Sequence, residues 1–428
     1  MIKRLLLITA LFVSVMNLSF AAGDFITANG KQFVRDGKPY YFVGTNLWYG
    51  PILGSEGEGG NRTRLIRELD SLKACGVDNL RILVGADAGS KNANTVKPYL
   101  QPEPGILNDT LIAGLDFMLA EMQKREMVGV LYLTNSWDWS GGYGFYLTNN
   151  GFKDSPNAAG EGYNKYVAYA SKFVHSSKSI AMFHNFVKSI VTRTNRYTGK
   201  TYKDDPTIMS WQICNEPRPF ARDIKTKELF YQFISSTARL IKKLDGNHMV
   251  STGSEGLYGC EVDEDLCTRI HNDLNVDYLT VHIWPVNWGW ASRDRLYEAL
   301  PNVYIKANNY INLHIRMAER INKPMVIEEF GYSRDRNMYL EGSSTLARDS
   351  FYEFIFEHVK ASKQKNGVIA GCNFWGWGGA GRPNAKDWQP GDDYLNDPPH
   401  EPQGWYSVYD SDSTTIDLIK KTAKVLNE

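Results

Sequence analysis

The chain has 428 residues, and Lys plus Arg balance Asp plus Glu at 48 each, so nothing in its charge points to nucleic acid or a membrane surface as a partner. Aromatic residues are abundant at 13%. Five cysteines, an odd number, exclude a fully paired disulfide framework within one chain.

Read from the N-terminus, Lys3 and Arg4 precede an apolar segment from Leu5 to about Met16, and the small residues Ser19, Ala21 and Ala22 follow. This is the pattern of a secretory signal peptide over residues 1–21. The apolar run is short for a membrane span, and no cysteine follows it to carry a lipid. Residues 22–428 are therefore expected as one soluble domain in the periplasm or the medium. The alternative is an anchoring helix that is never removed.

Next comes ITANGKQFVRDGKPYYFVG, whose Asn29-Gly30 and Asp36-Gly37 pairs are turn signals between antiparallel strands and predict a short N-terminal β-hairpin. Apolar strand-like runs then alternate with amphipathic stretches to the end, with no repeat, low-complexity tract or linker. Strands are predicted at Tyr41–Thr45, Asn79–Val84, Val128–Leu133, Ile208–Cys214, Met249–Thr252, Tyr278–His282, Met325–Glu328 and Val368–Phe374. Helices are predicted at Arg62–Cys75, Leu111–Arg125, Ser177–Thr192, Lys225–Leu244, Val303–Ile321 and Thr345–Lys363. Strands interleaved with helices in this way predict an α/β fold, a (β/α)8 TIM barrel, which places its chemistry at the C-terminal strand ends.

Of the 11 tryptophans, only Trp211 falls inside a predicted strand; the others follow strand ends and would gather at the barrel mouth. Flat apolar rings with polar edges suit the C–H faces of sugars, although about half of the indoles are expected only to wedge loops together. Cys260 and Cys267 bracket CEVDEDLC and are the candidate disulfide; Cys75, Cys214 and Cys372 lie in apolar surroundings, as buried thiols do. No ligand-spaced histidines and no Cys-x-x-Cys pair suggest a transition metal, and no glycine-rich phosphate loop meets a strand end. The acidic loop QPGDDYLNDPPHEPQGW is either a hard-cation site or merely solvated.

Two predicted strands end alike. WQICNEPRPF closes the fourth with Asn215 and Glu216 before Pro217, and KPMVIEEFGYSRD closes the seventh with Glu328 and Glu329 before Phe330-Gly331. In a barrel these ends lie across the opening from each other. Glycosidic bond cleavage needs two carboxyls so placed, one protonated to donate to the leaving oxygen and one ionised to attack the anomeric carbon. The anion raises the pKa of the acid, which separates their roles.

WQICNEPR and VIEEFG resemble the acid/base and nucleophile motifs of glycoside hydrolase family 5. With TRTNRYTGKTYKDDPTIMSWQICNEPR, LTNSWDWSGG, HIWPVNWGW and CNFWGWGG, nearly the whole mature chain resembles that family's endo-β-1,4-mannanase subfamily, in order. The resemblance implies hydrolysis with retention through a glycosyl-enzyme, no metal or other cofactor, and internal cleavage of mannan, glucomannan or galactomannan. It implies Glu216 as acid/base, Glu329 as nucleophile, Asn215 on the substrate's 2-hydroxyl and Arg81 of DNLRILVG holding the nucleophile ionised. It further implies Trp375 as the floor under the distorted sugar, His282 as a donor near the nucleophile, and Asn135, Trp137 and Trp48 along neighbouring subsites. Arg81 and His282 also have plainer readings, as a structural ion pair and a packing residue.

Two features depart from the family pattern or strain it. Much of family 5 carries a tyrosine two positions after the histidine; here Trp284 stands there, and an indole donates but cannot accept. Neighbouring strand residues point to opposite faces, so with Glu329 chosen because it directly precedes Phe330-Gly331, Glu328 is expected to face the helices as a supporting partner. Insertions at Ser140–Ala168 and Arg382–Pro402 are long enough to block one end of a groove. That leaves an exo-acting β-mannosidase or a transglycosylase open, and beyond these a glucan-cleaving enzyme or a glycan-binding protein without catalysis. The chain is expected to act as a monomer on a β-mannan polysaccharide or oligosaccharide, with no nucleic-acid partner and no membrane after signal removal.

Overall fold

The computed structural model describes residues 25–89 and 95–428. The leader expected over residues 1–21 lies outside the described residues.

The chain opens with β1 (Thr27–Asn29), β2 (Gln32–Arg35) and β3 (Lys38–Tyr40), an antiparallel sheet in that order, one strand more than the expected hairpin. Its turns need positive φ, met by Gly30 at 56° and by Asp36 and Gly37 at 50° and 74°. Phe33 and Tyr40 of this sheet form a separate apolar cluster with Val128, Met209, Met249 and Val326. These four residues stand at the starts of barrel strands, so the small sheet plugs the barrel's N-terminal end.

The barrel strands are β4 (Phe42–Asn46), β5 (Asn79–Leu83), β6 (Val128–Tyr132), β7 (Ile208–Gln212), β8 (Met249–Ser251), β9 (Leu279–Ile283), β10 (Met325–Phe330) and β11 (Ile369–Phe374). They pair in parallel in the order β8-β7-β6-β5-β4-β11-β10-β9, and a parallel bridge between Ser251 and Tyr278 joins the two ends into a nearly closed barrel. All eight are buried along their length. A parallel strand covered on both faces must be apolar almost continuously, which is why these runs were legible in the sequence.

The expected helices appear as Arg62–Ala74, Asp109–Gln123, Ser177–Val191, Ile224–Leu244, Leu296–Ile321 and Leu346–Gln364. Several start at a side chain that accepts from the first turn: Asn61 from Arg64 N, Asn108 from Leu111 N, Ser176 from Ser179 N and Asp223 from Thr226 N. Leu296–Ile321 begins earlier than expected and runs through Pro301, because Leu296 and Leu300 bury there. A last helix, Ser413–Asn427, buries Ile416, Ile419, Ala423 and Leu426.

After β11 come β12 (Trp377–Gly379) and β13 (Val408–Tyr409), paired with each other. The loop between them, residues 380–407, folds back over the mouth. Asp397 organises it, accepting from Gly404 N at 2.9 Å, Tyr406 N at 2.7 Å and Ser407 Oγ at 2.5 Å. Below it, Arg334 and Arg348 both donate to Asp412, at 2.7 and 2.8 Å.

The expected Cys260–Cys267 disulfide is absent: all five cysteines are free and buried. The helix Glu264–Asn272 turns the Cys267 sulfur toward the ring of His271, 3.9 Å from Nδ1.

Candidate active site

Beyond β7 the chain continues through Ile213 and Cys214 to Asn215, which bridges in parallel to Asn135, and then to Glu216. Glu216 has left-handed backbone, φ 48°, held by its N–H to Gly253 O at 2.9 Å and by Ser136 Oγ donating to its carbonyl at 2.5 Å. Such a conformation costs a non-glycine residue about 1 kcal/mol. It turns the carboxylate off the strand line into the opening.

On β10, Ile327 pairs with Val281 and Glu329 with His282, so Glu328 is the extra residue of a β-bulge. This overturns the expected alternation. Glu328 does not face the helices; its carboxylate lies inside the barrel beside that of Glu329, accepting from Gln212 Nε2 at 2.9 and 2.7 Å. It remains a supporting partner, from the opposite side to the one expected.

The carboxylates of Glu216 and Glu329 meet over a fixed bed of donors. His282 Nδ1 lies 2.8 Å from Glu216 Oε1 and 3.3 Å from Glu329 Oε2, and these groups present one atom each within 4.8 Å of one another. Arg81 donates to Glu329 and also reaches Asn46 Oδ1 at 3.1 Å, Gln212 Oε1 at 2.7 Å and Asn215 Oδ1 at 2.8 Å. Trp137 Nε1 donates to Glu216 Oε2 at 2.5 Å and Trp284 Nε1 to Glu329 Oε2 at 3.2 Å. Trp284 thus supplies the donor that the family's tyrosine would offer. A guanidinium and an imidazole already occupy these oxygens, so the trio reads as a hydrogen-bonded carboxylate pair rather than a ligand set.

Above this bed opens a pocket of about 550 Å3, lined by both glutamates, Asn215, Trp137, Trp284 and Trp375. Trp139 and Trp288 also line it, so five of the 11 indoles reach the cavity. Two expected lining residues, Trp48 and Asn135, lie elsewhere, while Arg81 and His282 stand where they were expected, on the nucleophile. Trp48 is 1% exposed, packed edge-on against Trp139 and Tyr394, and its Nε1 donates to Asn396 O at 2.6 Å. Asn135 is buried behind the site, accepting from Trp137 N at 3.0 Å and Asn215 Nδ2 at 3.2 Å. Arg81 and His282 are fully buried beneath the carboxylates. All four hold the lining from behind: Arg81 and His282 lie within β5 and β9 and fill the barrel interior, while Trp48 and Asn135 lie past the ends of β4 and β6, where neighbouring side chains cover them. Asn396, in the orientation that satisfies its amide, accepts from Trp375 Nε1 at 3.0 Å and donates to Asn46 O at 3.0 Å.

The lining charges that the sequence reading did not place at the site include Arg218, Glu255 and Glu401. Arg218 donates to Glu255 at 2.5 Å while its guanidinium lies 5.4 Å over the Trp137 ring, and Glu401 enters from the loop over the mouth. Arg218 and Glu255 follow the ends of β7 and β8, where this fold puts chemistry, and that position was the available signal.

Burial alone would push the Glu216 carboxyl up, but the His282 hydrogen bond and charge, with Arg218, hold it below the usual carboxylate value. Burial raises Glu329 above that value against the pull of His282 and Arg81. Burial would lower His282, yet the charge of Glu329 and the hydrogen bond to Glu216 push it up to about 9. Glu255 is pushed up to about 7 and Glu401 to about 8, both chiefly by burial.

The family model described as GH family 5 β-mannosidase-like matches residues 23–428. The chain belongs to this family. The family 5 enzyme is a glycoside hydrolase, and its barrel superposes on the crystal structure of a glycoside hydrolase family 5 mannosidase from Rhizomucor miehei with TM-score 0.87, 32% identity, and coverage of 95% of this chain and 99% of that one. Among curated proteins it is similar to mannan endo-1,4-beta-mannosidase 1 of Oryza sativa subsp. japonica, 28% identical over 367 residues, 82% of this chain and 78% of the relative. An endo-beta-1,4-mannanase from Thermotoga petrophila shares the fold at TM-score 0.67 and 22% identity, covering 92% of this chain and 78% of that one.

Proposed function

We propose that the enzyme hydrolyses β-1,4-mannosidic bonds of mannan or its oligosaccharides with retention, using Glu216 as acid/base and Glu329 as nucleophile. The carrying observation is that one oxygen of each carboxylate lies within 4.8 Å of an oxygen of the other, on either side of one imidazole nitrogen. Double displacement uses a separation of about 5–5.5 Å, whereas a single displacement through water needs about 6.5 Å or more.

Each neighbour then has a task. Arg81 and Trp284 aim and stabilise the Glu329 carboxylate for attack on the anomeric carbon, while Glu216 protonates the leaving oxygen and later activates water to release the sugar. Asn215, clamped between Arg81 and Asn135, is placed to hold the 2-hydroxyl of the sugar on Trp375. The mannose specificity is supported by the similarity to proteins named mannosidases and mannan endo-mannosidases.

Internal cleavage is supported by the names of the curated relatives. Cleavage at chain ends is a second reading, favoured by Pro398, His400 and Glu401 of the mouth loop standing against the pocket. Mannohexaose separates them: mannobiose and mannotriose appear early from an endo enzyme, and mannose as the sole early product excludes that mode. Proton NMR of the first product tests retention, with the β-anomer expected first and an initial α-anomer overturning the mechanism. We also propose export, supported by the leader pattern before Ala22; N-terminal sequencing of the released protein tests it.

A further inference from the structure

The β-bulge places a third carboxylate beneath the catalytic pair. Glu328 is 1% exposed, and besides its two contacts with Gln212 it has Arg81 Nε at 3.8 Å and His282 Nε2 at 3.9 Å. Gln212 Nε2 is the donor to Glu328, while the Nε–H of Arg81 goes to Gln212 Oε1 at 2.7 Å and the guanidinium faces Glu328 through its charge. His282 Nε2 is buried without a hydrogen-bond partner, and Glu328 is the acceptor group that faces it. The other ring nitrogen faces Glu216 and Glu329. Carboxylates therefore face both ring nitrogens, one within hydrogen-bond distance of Nδ1 and one 3.9 Å from Nε2.

We propose that Glu328 is a positioning residue: it holds His282 as an imidazolium whose Nδ1 proton stands between the catalytic carboxylates and passes to Glu216 when the acid is needed. In that step the Nδ1–H bond breaks and an O–H bond forms at Glu216 Oε1, 2.8 Å away. The ring is left neutral, its remaining proton on Nε2 facing Glu328, and the charge of the cluster is unchanged. The charges facing His282 are Glu216 beyond β7, Glu255 beyond β8, Glu328 and Glu329 on β10, and Arg81 on β5. The negative groups outnumber the guanidinium, and Glu328 is the one among them that neither lines the pocket nor touches substrate.

This inference rests on the reading of Glu216 as acid/base, and its test is separable from the test of that reading. Glu328→Gln keeps the size of the side chain and removes its charge. The alkaline limb of kcat/KM is expected to move toward acid by about one pH unit, with kcat near its value on the acid side retained. Glu328→Asp is expected to restore the limb. A merely structural role would lower the melting temperature and leave the limb in place, so a folded Glu328→Gln enzyme with an unmoved limb overturns the proposal. Nitrogen-15 NMR of His282 in the unaltered enzyme is a second measurement that needs no variant: two ring protons at neutral pH are expected, and one overturns it. If instead Glu216→Ala keeps full activity, it is the functional reading that falls.

Discussion

Glu216 and Glu329 differ in what surrounds them more than in where they stand. Glu216 is gripped by an imidazole and an indole N–H, Glu329 by a guanidinium and another indole N–H. That difference predicts separable phenotypes. Glu216→Ala is expected to lose about 10²–10⁴ in kcat on mannooligosaccharides. It should still cleave a mannoside with a good leaving group, and added azide should accelerate turnover and yield a β-mannosyl azide. Glu329→Ala should show no such rescue, and product analysis of the two variants side by side checks the assignment. At this scale the sequence was partly legible. The two glutamates stood out because each closes an apolar run before a breaker. Trp48 and Asn135 were misplaced because a strand end says which residues are near the mouth, not which of them the overlying loops cover.

The bulge in β10 was not legible, because it depends on the register against β9 rather than on the residues of β10 itself. The same holds for the loop 380–407: its length suggested an obstruction, but only the fold shows it fastened at Asp397 and Asp412. Asp412 anchors three elements at once, accepting from Arg334 beyond β10, Arg348 in the helix Leu346–Gln364 and Tyr409 N in β13. Burial works to raise its pKa, but Arg348 and Arg334 hold it below the usual value. A depressed acid contributes stability above its unfolded pKa and loses it as pH falls through the folded value, so this anchor weakens below about pH 4. Asp412→Asn leaves two buried guanidiniums without their counter-ion, and a loss of about 3–5 kcal/mol is expected in denaturant unfolding at neutral pH, shrinking toward acid.

Across the whole molecule, the barrel strands lie within about two residues of their expected positions, since burial on both faces writes itself into composition. The helix Ser413–Asn427 and the short helices Gly142–Thr148 and Tyr163–Ala170 were missed, the latter inside a segment read only as an insertion. One buried acid away from the catalytic pair should shape the stability of the entire domain. Asp87 is pushed up to about 8 by burial, against the hydrogen bond from Gln101 and others. A raised acid contributes fully below its unfolded pKa and loses that contribution as pH rises through the folded value, here between about 4 and about 8. Asp87→Asn is therefore expected to flatten the fall in melting temperature from pH 5 to pH 8, and a parallel pair of curves would refute the assignment.

The link from Asn396 to the Trp375 indole has a consequence for how such enzymes diverge. The segment that narrows the entrance also carries the bearing for the platform on which the sugar rests. Trimming it to admit longer polymers would unseat that platform, so a change in access and a change in catalytic fitness would be inherited together.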